Sequence, residues 1–473
     1  MNRLVPLLLL CACILPSCRK EVLSPVFPEA LQTCDPIPSE GGSCAFKVDY
    51  VPTRAVEYRP FEYKVHIDGD FLTGGTVNGP EELEDGKVAF DVPANELYEP
   101  RKISAAVLVD GHWIRIFEAT QLARIPDRSA FGIVEEMKVG WNLGNTLDSF
   151  GDWIALYSDG STAAYETAWG QPVTTAALIR TFADAGFGAI RVPVTWFQHM
   201  DAAGNVSEDW MARVEEVVGY VLDAGLYCIL NVHHDTGTGG WLFASEPVYK
   251  SVRDRFSKLW TQIATRFRDY GPRLLFEGYN ELLYTSSWNA PPSSAYTWAN
   301  SYNQDFVDAV RATGGGNASR FLVVNTYSAS YDASALEGFR LPKDSIDGHL
   351  IAEVHSYAPY PFAFDVAGDP YWGPYDKKVF DEDCRKEIVS GIESMAARFV
   401  DNGIPCIIGE YGAADKGNES ERARQAACYV STARKYGITC FHWMGLIDGA
   451  DRSTCTWTNP ILKDAILHPE KYQ

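Results

Sequence analysis

Eight short apolar runs, separated by longer amphipathic stretches, occupy the chain from residue 126 to its end. The stretches at 174–186 and 209–225 have the spacing of helices with one buried face. Strands that alternate with helices predict repeated βα units, and eight such units predict a closed (β/α)8 TIM barrel. The runs are VGWNLGNTLD (139–148), AIRVPVTW (189–196), YCILNVHH (227–234), LLFEGYNE (274–281), RFLVVNTY (320–327), HLIAEVHSY (349–357), PCIIGEYG (405–412) and ITCFHWMG (438–445).

A doubly wound open sheet is the main alternative for such an α/β pattern. That fold normally carries a glycine-rich phosphate-binding turn directly after its first strand. The first run here contains GWNLGNT, which lacks the glycine spacing of that turn. The closed barrel is therefore the prediction for residues 126–473.

Residues 30–125 have a different pattern, in which short alternating segments such as CAFKVDYV and KVAFDV are interrupted by Gly, Pro and Asp clusters. A period of two with frequent turns predicts a small all-β, Ig-like sandwich. Its last part, PANELYEPRKISAAVLVDGHWIRIFEATQLA, resembles a BACON-type domain of the kind that precedes glycan-active enzymes in Bacteroidetes. A generic β-sandwich spacer is the alternative, and nothing in this region suggests catalysis.

The N-terminus has the features of a targeting segment. A positive residue, Arg3, precedes the apolar stretch VPLLLLCACI, which is too short to span a membrane as a mature helix. The tetrapeptide LPSC, ending at Cys18, resembles the bacterial lipobox, which implies that Cys18 becomes an acylated first residue. We therefore expect a signal peptide at 1–17, a tether at 18–29 and an outer-membrane lipoprotein at the cell surface. An ordinary signal peptide with a chance cysteine is the alternative.

Charge and cysteine spacing exclude several classes of partner. With 41 basic and 62 acidic residues the net charge is −21, which argues against nucleic acid and anionic membrane surfaces as partners. The expected contact with a membrane is through the lipid anchor only, and a monomer is expected. The chain has no CxxC and no paired Cys/His spacing, so we expect no structural zinc and no cofactor.

Polar residues gather where the apolar runs end, and the C-terminal ends of the strands build the active site of a TIM barrel. Among them are two glutamates, Glu281 and Glu410, on runs that lie on opposite sides of the predicted barrel. Two carboxylates at one mouth suit glycoside hydrolysis, in which one must be protonated and the other ionised. The other candidates are Arg191, His233, Asn280, His355, Tyr357 and Trp443.

Three of these candidates have specific expected contacts. Asn280 could hold the 2-hydroxyl of the sugar, and Tyr357 could donate a hydrogen bond to Glu410. Arg191 could keep Glu410 ionised, although a plain structural ion pair is compatible with the same position. Tryptophans in the connections after the runs suit stacking on sugar rings. They are Trp153, Trp169, Trp241, Trp288 and Trp372.

From about residue 135 to 450 the chain resembles glycoside hydrolase family 5 in the order of its short motifs. These motifs are GWNLGNTLD, RVPVTW, NVHHD, EGYNE, HSY, IIGEYG and HWMG. The resemblance implies that Glu281 is the acid/base, that Glu410 is the nucleophile and that the remaining six candidates bind substrate or support catalysis. One departure is Leu282, which stands where the family usually has proline.

The resemblance implies a retaining endo-β-1,4-glucanase that acts on cellulose, mixed-linkage glucan or xyloglucan. An endo-β-xylanase or β-mannanase of the same family is an alternative. A glycan-binding lipoprotein on a retired hydrolase fold is another, and so is a metal-dependent hydrolase that uses His233 and His234. Since the first run has no histidine, we predict that no metal takes part.

Overall fold

The structure is a computed structural model that describes residues 22–50, 57–95, 100–122, 129–364, 377–443 and 452–472. Contacts divide the chain into two compact units, Met1–Asn95 with Arg101–Gln121, and Glu96–Pro100 with Leu122–Gln473. The predicted boundary at residue 125 lies just beyond this division. The predicted signal peptide and Cys18 lie outside the described residues.

The first unit consists of short strands, as the alternating pattern predicts. Its largest sheet has five strands in the order β3-β11-β10-β7-β8, and β4 pairs with β9 in a separate ladder. The inward residues, among them Val65, Ala105 and Val107, are fully buried and form one core. The strands are β1 (Val22–Leu23), β2 (Pro25–Val26), β3 (Gln32–Thr33), β4 (Gly42–Lys47), β5 (Asp49–Tyr50), β6 (Glu57–Tyr58), β7 (Phe61–Ile67), β8 (Asp70–Val77), β9 (Lys87–Val92), β10 (Arg101–Val109) and β11 (His112–Gln121).

Part of the segment predicted as a tether belongs to this β structure. Strand β1 pairs in parallel with β6, and β2 pairs antiparallel with β5. Further along the chain, the Sγ atoms of Cys34 and Cys44 lie 3.4 Å apart, so these two thiols are in contact.

The second unit contains a closed barrel of eight strands, all paired in parallel, which confirms the predicted (β/α)8 fold. The outward side chains of the strands are apolar because helices cover them. The strands are β12 (Gly140–Asn142), β13 (Ala189–Val192), β14 (Tyr227–Asn231), β15 (Leu274–Glu277), β16 (Leu322–Asn325), β17 (Leu350–His355), β18 (Cys406–Tyr411) and β19 (Thr439–Trp443).

The helices have the single buried face that their spacing predicts. In the helix at 208–223, for example, Ser207 caps the N-terminus by accepting from Trp210 N, and Val214 and Val218 are fully buried. Among the described residues, none of the helices has the length and hydropathy needed to cross a membrane. The helices are α1 (Ala130–Glu136), α2 (Asp152–Tyr157), α3 (Thr162–Glu166), α4 (Ala176–Ala185), α5 (Glu208–Asp223), α6 (Glu246–Arg266), α7 (Ser294–Ala312), α8 (Ala333–Gly338), α9 (Tyr360–Ala363), α10 (Glu382–Arg398), α11 (Glu419–Lys435) and α12 (Pro460–Leu467).

The barrel interior is layered. At its base, inward residues such as Ile229, Leu275 and Ile351 pack with Ile133 of α1 in a dry apolar cluster. Because side chains alternate along a strand, the residues two positions further on face the same interior one layer higher. That layer is polar and buried, and it contains Arg191, Asn231, Glu277, Asn325 and Glu353.

Some strands end earlier than their apolar runs. Strand β15 stops at Glu277, so Asn280 and Glu281 lie in the connection that follows it rather than at the last strand position. The apolar pattern continues because Tyr279 and Leu282 of that connection are also fully buried. Leu282 thus fills a core position where the family usually has proline.

Candidate active site

A cleft of about 390 Å³ opens at the C-terminal ends of the barrel strands. It brings together six of the eight predicted barrel residues, namely His233, Asn280, Glu281, Tyr357, Glu410 and Trp443. Its other lining residues are His234, Trp288, Tyr360 and Phe364. The other two predicted residues, Arg191 and His355, are buried and contact the glutamates that line the cleft.

Glu410 is held by two donors at the end of β18. Arg191 donates through Nη1 to its Oε1 at 2.8 Å, and the Tyr357 hydroxyl donates to its Oε2 at 2.8 Å. Burial raises the pKa of Glu410, whereas the charges of His355 and Arg191 oppose that rise. The carboxylate is thereby fixed in orientation and faces two cationic groups.

His355 lies between the two candidate catalytic glutamates. Its Nδ1 is 2.9 Å from Glu281 Oε1 and 3.6 Å from Glu410 Oε2. A carboxylate oxygen of Glu281 and one of Glu410 lie within 4.8 Å of each other. Burial lowers the pKa of His355, but the carboxylates of Glu410 and Glu281, with that of Glu353, outweigh it and raise the pKa to about 10.

Asn280 is oriented by the same arginine. Arg191 donates through Nη2 to Asn280 Oδ1 at 2.9 Å, which leaves the Asn280 amide nitrogen as the donor for a ligand in the cleft. The rings of His233 and Trp443, which also line the cleft, stack in parallel, with centroids 5.6 Å apart. Together they present one aromatic edge and one amide donor to the cleft.

Arg191 also has partners that the sequence analysis missed. It donates through Nε and Nη2 to the two oxygens of Glu277, each at 2.7 Å, and its Nε is 3.5 Å from Glu353 Oε1. Both glutamates lie in the polar layer below the cleft and are fully buried. Burial and the charge of Glu353 raise the pKa of Glu277 to about 7, against the effect of Arg191. The alternation of side chains along the strand could have predicted the inward position of Glu277, because it places this residue on the same face as Leu275.

The pair His233 and His234, with Asp148, is the group that the metal hypothesis requires, since their ligand atoms lie within 4.8 Å of one another. Asn231 Oδ1 accepts from Val194 N, so its Nδ2 faces His233 Nδ1 at 3.0 Å. His233 Nδ1 must then accept, and the ring proton sits on Nε2. A protonated Nε2 cannot ligate a metal, so this histidine fits a donor to a hydroxyl better than a metal ligand.

The loop tryptophans have different surroundings. Trp288 lines the cleft and is half exposed, whereas the Trp169 ring packs edge-on against His234, which also lines the cleft. Trp241 is tied to the barrel by donating to Asp235 Oδ1 at 2.6 Å. Trp153 is 45% exposed, and Trp372 lies outside the described residues. Trp288 is thus the member of this set best placed to stack on a ligand.

Comparison with known proteins agrees with this geometry. The sequence profile of the Cellulase family (glycosyl hydrolase family 5) matches residues 147–446. The chain is 37% identical over 386 residues to endoglucanase A of Clostridium longisporum, covering 75% of this chain and 71% of that protein. It is 34% identical over 377 residues to endoglucanase A of Ruminococcus albus, covering 76% of this chain and 98% of that protein.

Solved structures give the same picture. A family 5 glycoside hydrolase from Prevotella bryantii B14 is 41% identical, with a TM-score of 0.66, and the match covers 74% of this chain and all of that one (100%). A mutant of that enzyme was solved with the xyloglucan tetradecasaccharide XXXGXXXG. A broad-specificity endoglucanase from Ruminococcus champanellensis with bound cellotriose is 38% identical, with a TM-score of 0.67, over 73% of this chain and 100% of that one.

Arg191→Met should destabilise the barrel strongly. It leaves the buried carboxylates of Glu277, Glu353 and Glu410 without their shared cation, and losing one partner of a buried ion pair costs about 3–5 kcal/mol. Buried carboxyls without a cation bind protons more tightly in the folded than in the unfolded protein. The deficit in the free energy of unfolding should therefore shrink when denaturant unfolding is measured at about pH 5 instead of about pH 8.

Two controls accompany this measurement. Arg191→Lys keeps the charge and should lose less stability than Arg191→Met. Lys250→Met removes the cation of an exposed helix pair with Glu246 and should change stability little. An Arg191→Met protein that unfolds at the same denaturant concentration as the unmodified protein, at either pH, would show that the arginine does not balance these charges.

Proposed function

Because the chain belongs to the cellulase family, glycosyl hydrolase family 5, we propose that it hydrolyses internal β-1,4 linkages of a cell-wall β-glucan with retention of configuration. The observation that carries the proposal is the approach of Glu281 and Glu410: one carboxylate oxygen of each lies within 4.8 Å of the other. Retaining enzymes hold their two carboxyl groups about 5–5.5 Å apart, whereas inverting enzymes leave about 6.5–9.5 Å for a water molecule.

In the first step Glu281 donates its proton to the glycosidic oxygen while the bond from C1 to that oxygen breaks. Glu410 Oε attacks C1 from the opposite face, and a covalent glycosyl-enzyme forms. Arg191 and Tyr357 hold the Glu410 carboxylate in the orientation that this attack needs. Glu281 is then a carboxylate, and the first product leaves.

In the second step Glu281 acts as a base. It takes a proton from a water molecule, the water oxygen attacks C1, and the bond from C1 to Glu410 breaks. Two inversions at C1 give net retention, and both glutamates return to their starting states. Asn280, oriented by Arg191, donates to the 2-hydroxyl of the sugar, a contact that strengthens as the oxocarbenium-like centre develops.

The substrate class rests on the cleft and on the relatives. The cleft offers neutral donors and the exposed ring of Trp288, and the net charge of −21 favours an uncharged polysaccharide over a polyanionic one. The named relatives are endoglucanases, and the related structures hold xyloglucan and cellotriose fragments. Cellulose, mixed-linkage glucan and xyloglucan are therefore the proposed substrates, with xylan and mannan as the comparison set for an assay of released oligosaccharides.

The stereochemical outcome tests the double displacement directly. During the first minutes of hydrolysis of a β-glucan oligosaccharide, proton NMR should show the β-anomer at the new reducing end, before mutarotation. The α-anomer as first product would contradict the proposal. Binding of the oligosaccharide without any turnover would instead support a retired, glycan-binding barrel.

The roles of the two glutamates are separated by azide rescue. Glu410→Ala should lose turnover on every substrate because no nucleophile remains. Glu281→Ala should still react with an aryl glycoside whose leaving group needs little protonation, and added azide should accelerate it by attacking the glycosyl-enzyme to give a β-glycosyl azide. The unmodified enzyme with azide is the control. A β-glycosyl azide formed by Glu410→Ala and not by Glu281→Ala would invert the assignment.

We also propose that the chain is a Bacteroidetes outer-membrane lipoprotein, held at the cell surface by an acylated Cys18. The LPSC string and the β unit without catalytic residues support this, with the β unit, Ig-like or BACON-like, acting as a spacer. We further propose that the protein is a monomer and that its partner is a neutral polysaccharide.

Cys18→Ala should move the protein from the membrane fraction to the soluble fraction without changing its specific activity, since the change is far from the cleft in sequence. Cys455→Ala, which removes a cysteine in the barrel unit, is the matched control and should leave the fractionation unchanged. Membrane association that survives Cys18→Ala would rule out this anchor.

A further inference from the structure

Glu353 is a buried charged residue that the catalytic steps above do not use. It lies on β17, two residues before His355, and its side chain is fully buried in the polar layer below the cleft. Its Oε2 accepts from Asn325 Nδ2 at 2.9 Å. Its Oε1 is 3.4 Å from His355 Nε2 and 3.5 Å from Arg191 Nε. A fully buried carboxylate costs stability unless it is paired, so its position calls for a function.

We propose, building on the function proposed above, that Glu353 is a positioning residue: its carboxylate orients the ring of His355 and keeps that imidazole charged where it faces Glu281 and Glu410. Neither His355 Nε2 nor Glu353 Oε1 has another well-formed hydrogen bond among the described residues. Each is therefore the natural partner of the other, and a small rotation of either side chain would close the 3.4 Å gap.

Gly409 gives independent support for this contact. It is the residue directly before Glu410 on β18, and a Cβ placed on it would lie 1.5 Å from Glu353 Oε1. Any side chain at this position would displace the carboxylate from His355. The strand that carries the nucleophile thus leaves room for Glu353.

The consequence for catalysis depends on which ring nitrogens carry protons. A charged His355 donates from Nδ1 to Glu281 Oε1 and from Nε2 toward Glu353. A neutral His355 with its proton on Nε2 would instead accept at Nδ1 and take the hydrogen bond of the Glu281 proton. That proton would then point away from the glycosidic oxygen, and Glu410 would lose one of its two facing cations.

The surrounding charges decide whether His355 stays charged. Burial raises the pKa of Glu353, but Arg191 and His355 outweigh it, so its pKa lies below the usual value and it faces His355 as a carboxylate. The ionisable groups that face Glu353 or His355 are Arg191 on β13, His233 after β14, Glu277 on β15, Glu281 after β15, and Cys406 and Glu410 on β18. Two of them, Glu281 and Glu410, are carboxyl groups near His355, and with Glu353 they favour the imidazolium.

Histidine NMR on the unmodified enzyme tests the charge without any substrate. In protein labelled with 15N-histidine, the His355 signals are assigned by their loss in His355→Gln. Both ring nitrogens should remain protonated from neutral pH to near the pKa of about 10. A neutral His355 at about pH 7 would overturn the proposal. Because no activity is measured, this result is independent of whether the chain hydrolyses glucan.

Glu353→Gln provides the kinetic test. His355 should lose its proton at a pH lower by at least about one unit, and the alkaline limb of kcat should move down with it. Above that pH, kcat should fall about tenfold or more while KM stays within about threefold, because the substrate contacts are intact. Glu353→Asp keeps the charge and should restore part of the loss. Val354→Ala, on the same strand but facing the helices, is the control and should keep the unmodified pH profile.

Gly409→Ala is the second variant, since it displaces the carboxylate without changing any charge. It should shift the His355 titration and the alkaline limb in the same direction as Glu353→Gln. A folded Glu353→Gln whose pH profile superposes on that of the unmodified enzyme would refute the positioning role. If neither variant folds, the titration of the unmodified enzyme decides. An enzyme that lacks glucanase activity while His355 remains charged would refute the proposed function alone.

Discussion

Arg191 is the side chain on which the rest of the centre depends. It contacts Glu277, Glu353, Glu410 and Asn280 from one buried position, so it balances charge and sets orientation at the same time. A planar guanidinium suits this task because its five donors point in fixed directions, which a lysine ammonium does not provide. Without it the barrel would enclose several carboxyl groups in a medium that penalises charge.

The layering of the barrel explains how such a charged centre coexists with a stable fold. The dry base, where Ile229, Leu275 and Ile351 meet α1, provides the apolar burial that stabilises the strands. Two residues further along, the same strands supply the polar layer, and the cleft lies above that layer. Glu410 and His355 stand on strands, and each has a partner in the polar layer, Arg191 for Glu410 and Glu353 for His355. This arrangement restricts the motion of Glu410 and His355, which the reaction requires to be small.

The barrel, and the convergence of the eight candidate residues at one end of it, could be predicted because both depend on short-range sequence signals: apolar runs at regular intervals and polar residues where the runs end. Glu277 and Glu353 were not predicted as part of the site, because they lie inside apolar runs, where a single acidic residue has no local partner in the sequence. Their partners are on other strands, and only closure of the barrel brings Arg191 between them. The strand ends were also placed too late, because Tyr279 and Leu282 bury apolar side chains outside the strand. Hydrophobicity reports burial, and burial does not stop where the ladder of hydrogen bonds stops.

The two catalytic glutamates differ in their surroundings, and this difference fits their proposed roles. Glu410 accepts from Arg191 and Tyr357 and is almost completely buried, so a negative charge on it is matched by donors before any substrate arrives. Within the part of the chain that the structure describes, Glu281 has one side-chain partner, His355, and 24% of its side chain is exposed to the cleft. A group that must pass a proton to substrate and later take one from water needs that access, whereas a nucleophile needs a fixed direction of attack. The asymmetry of contacts around one arginine and one histidine therefore supports the proposal of different chemistry for two identical side chains.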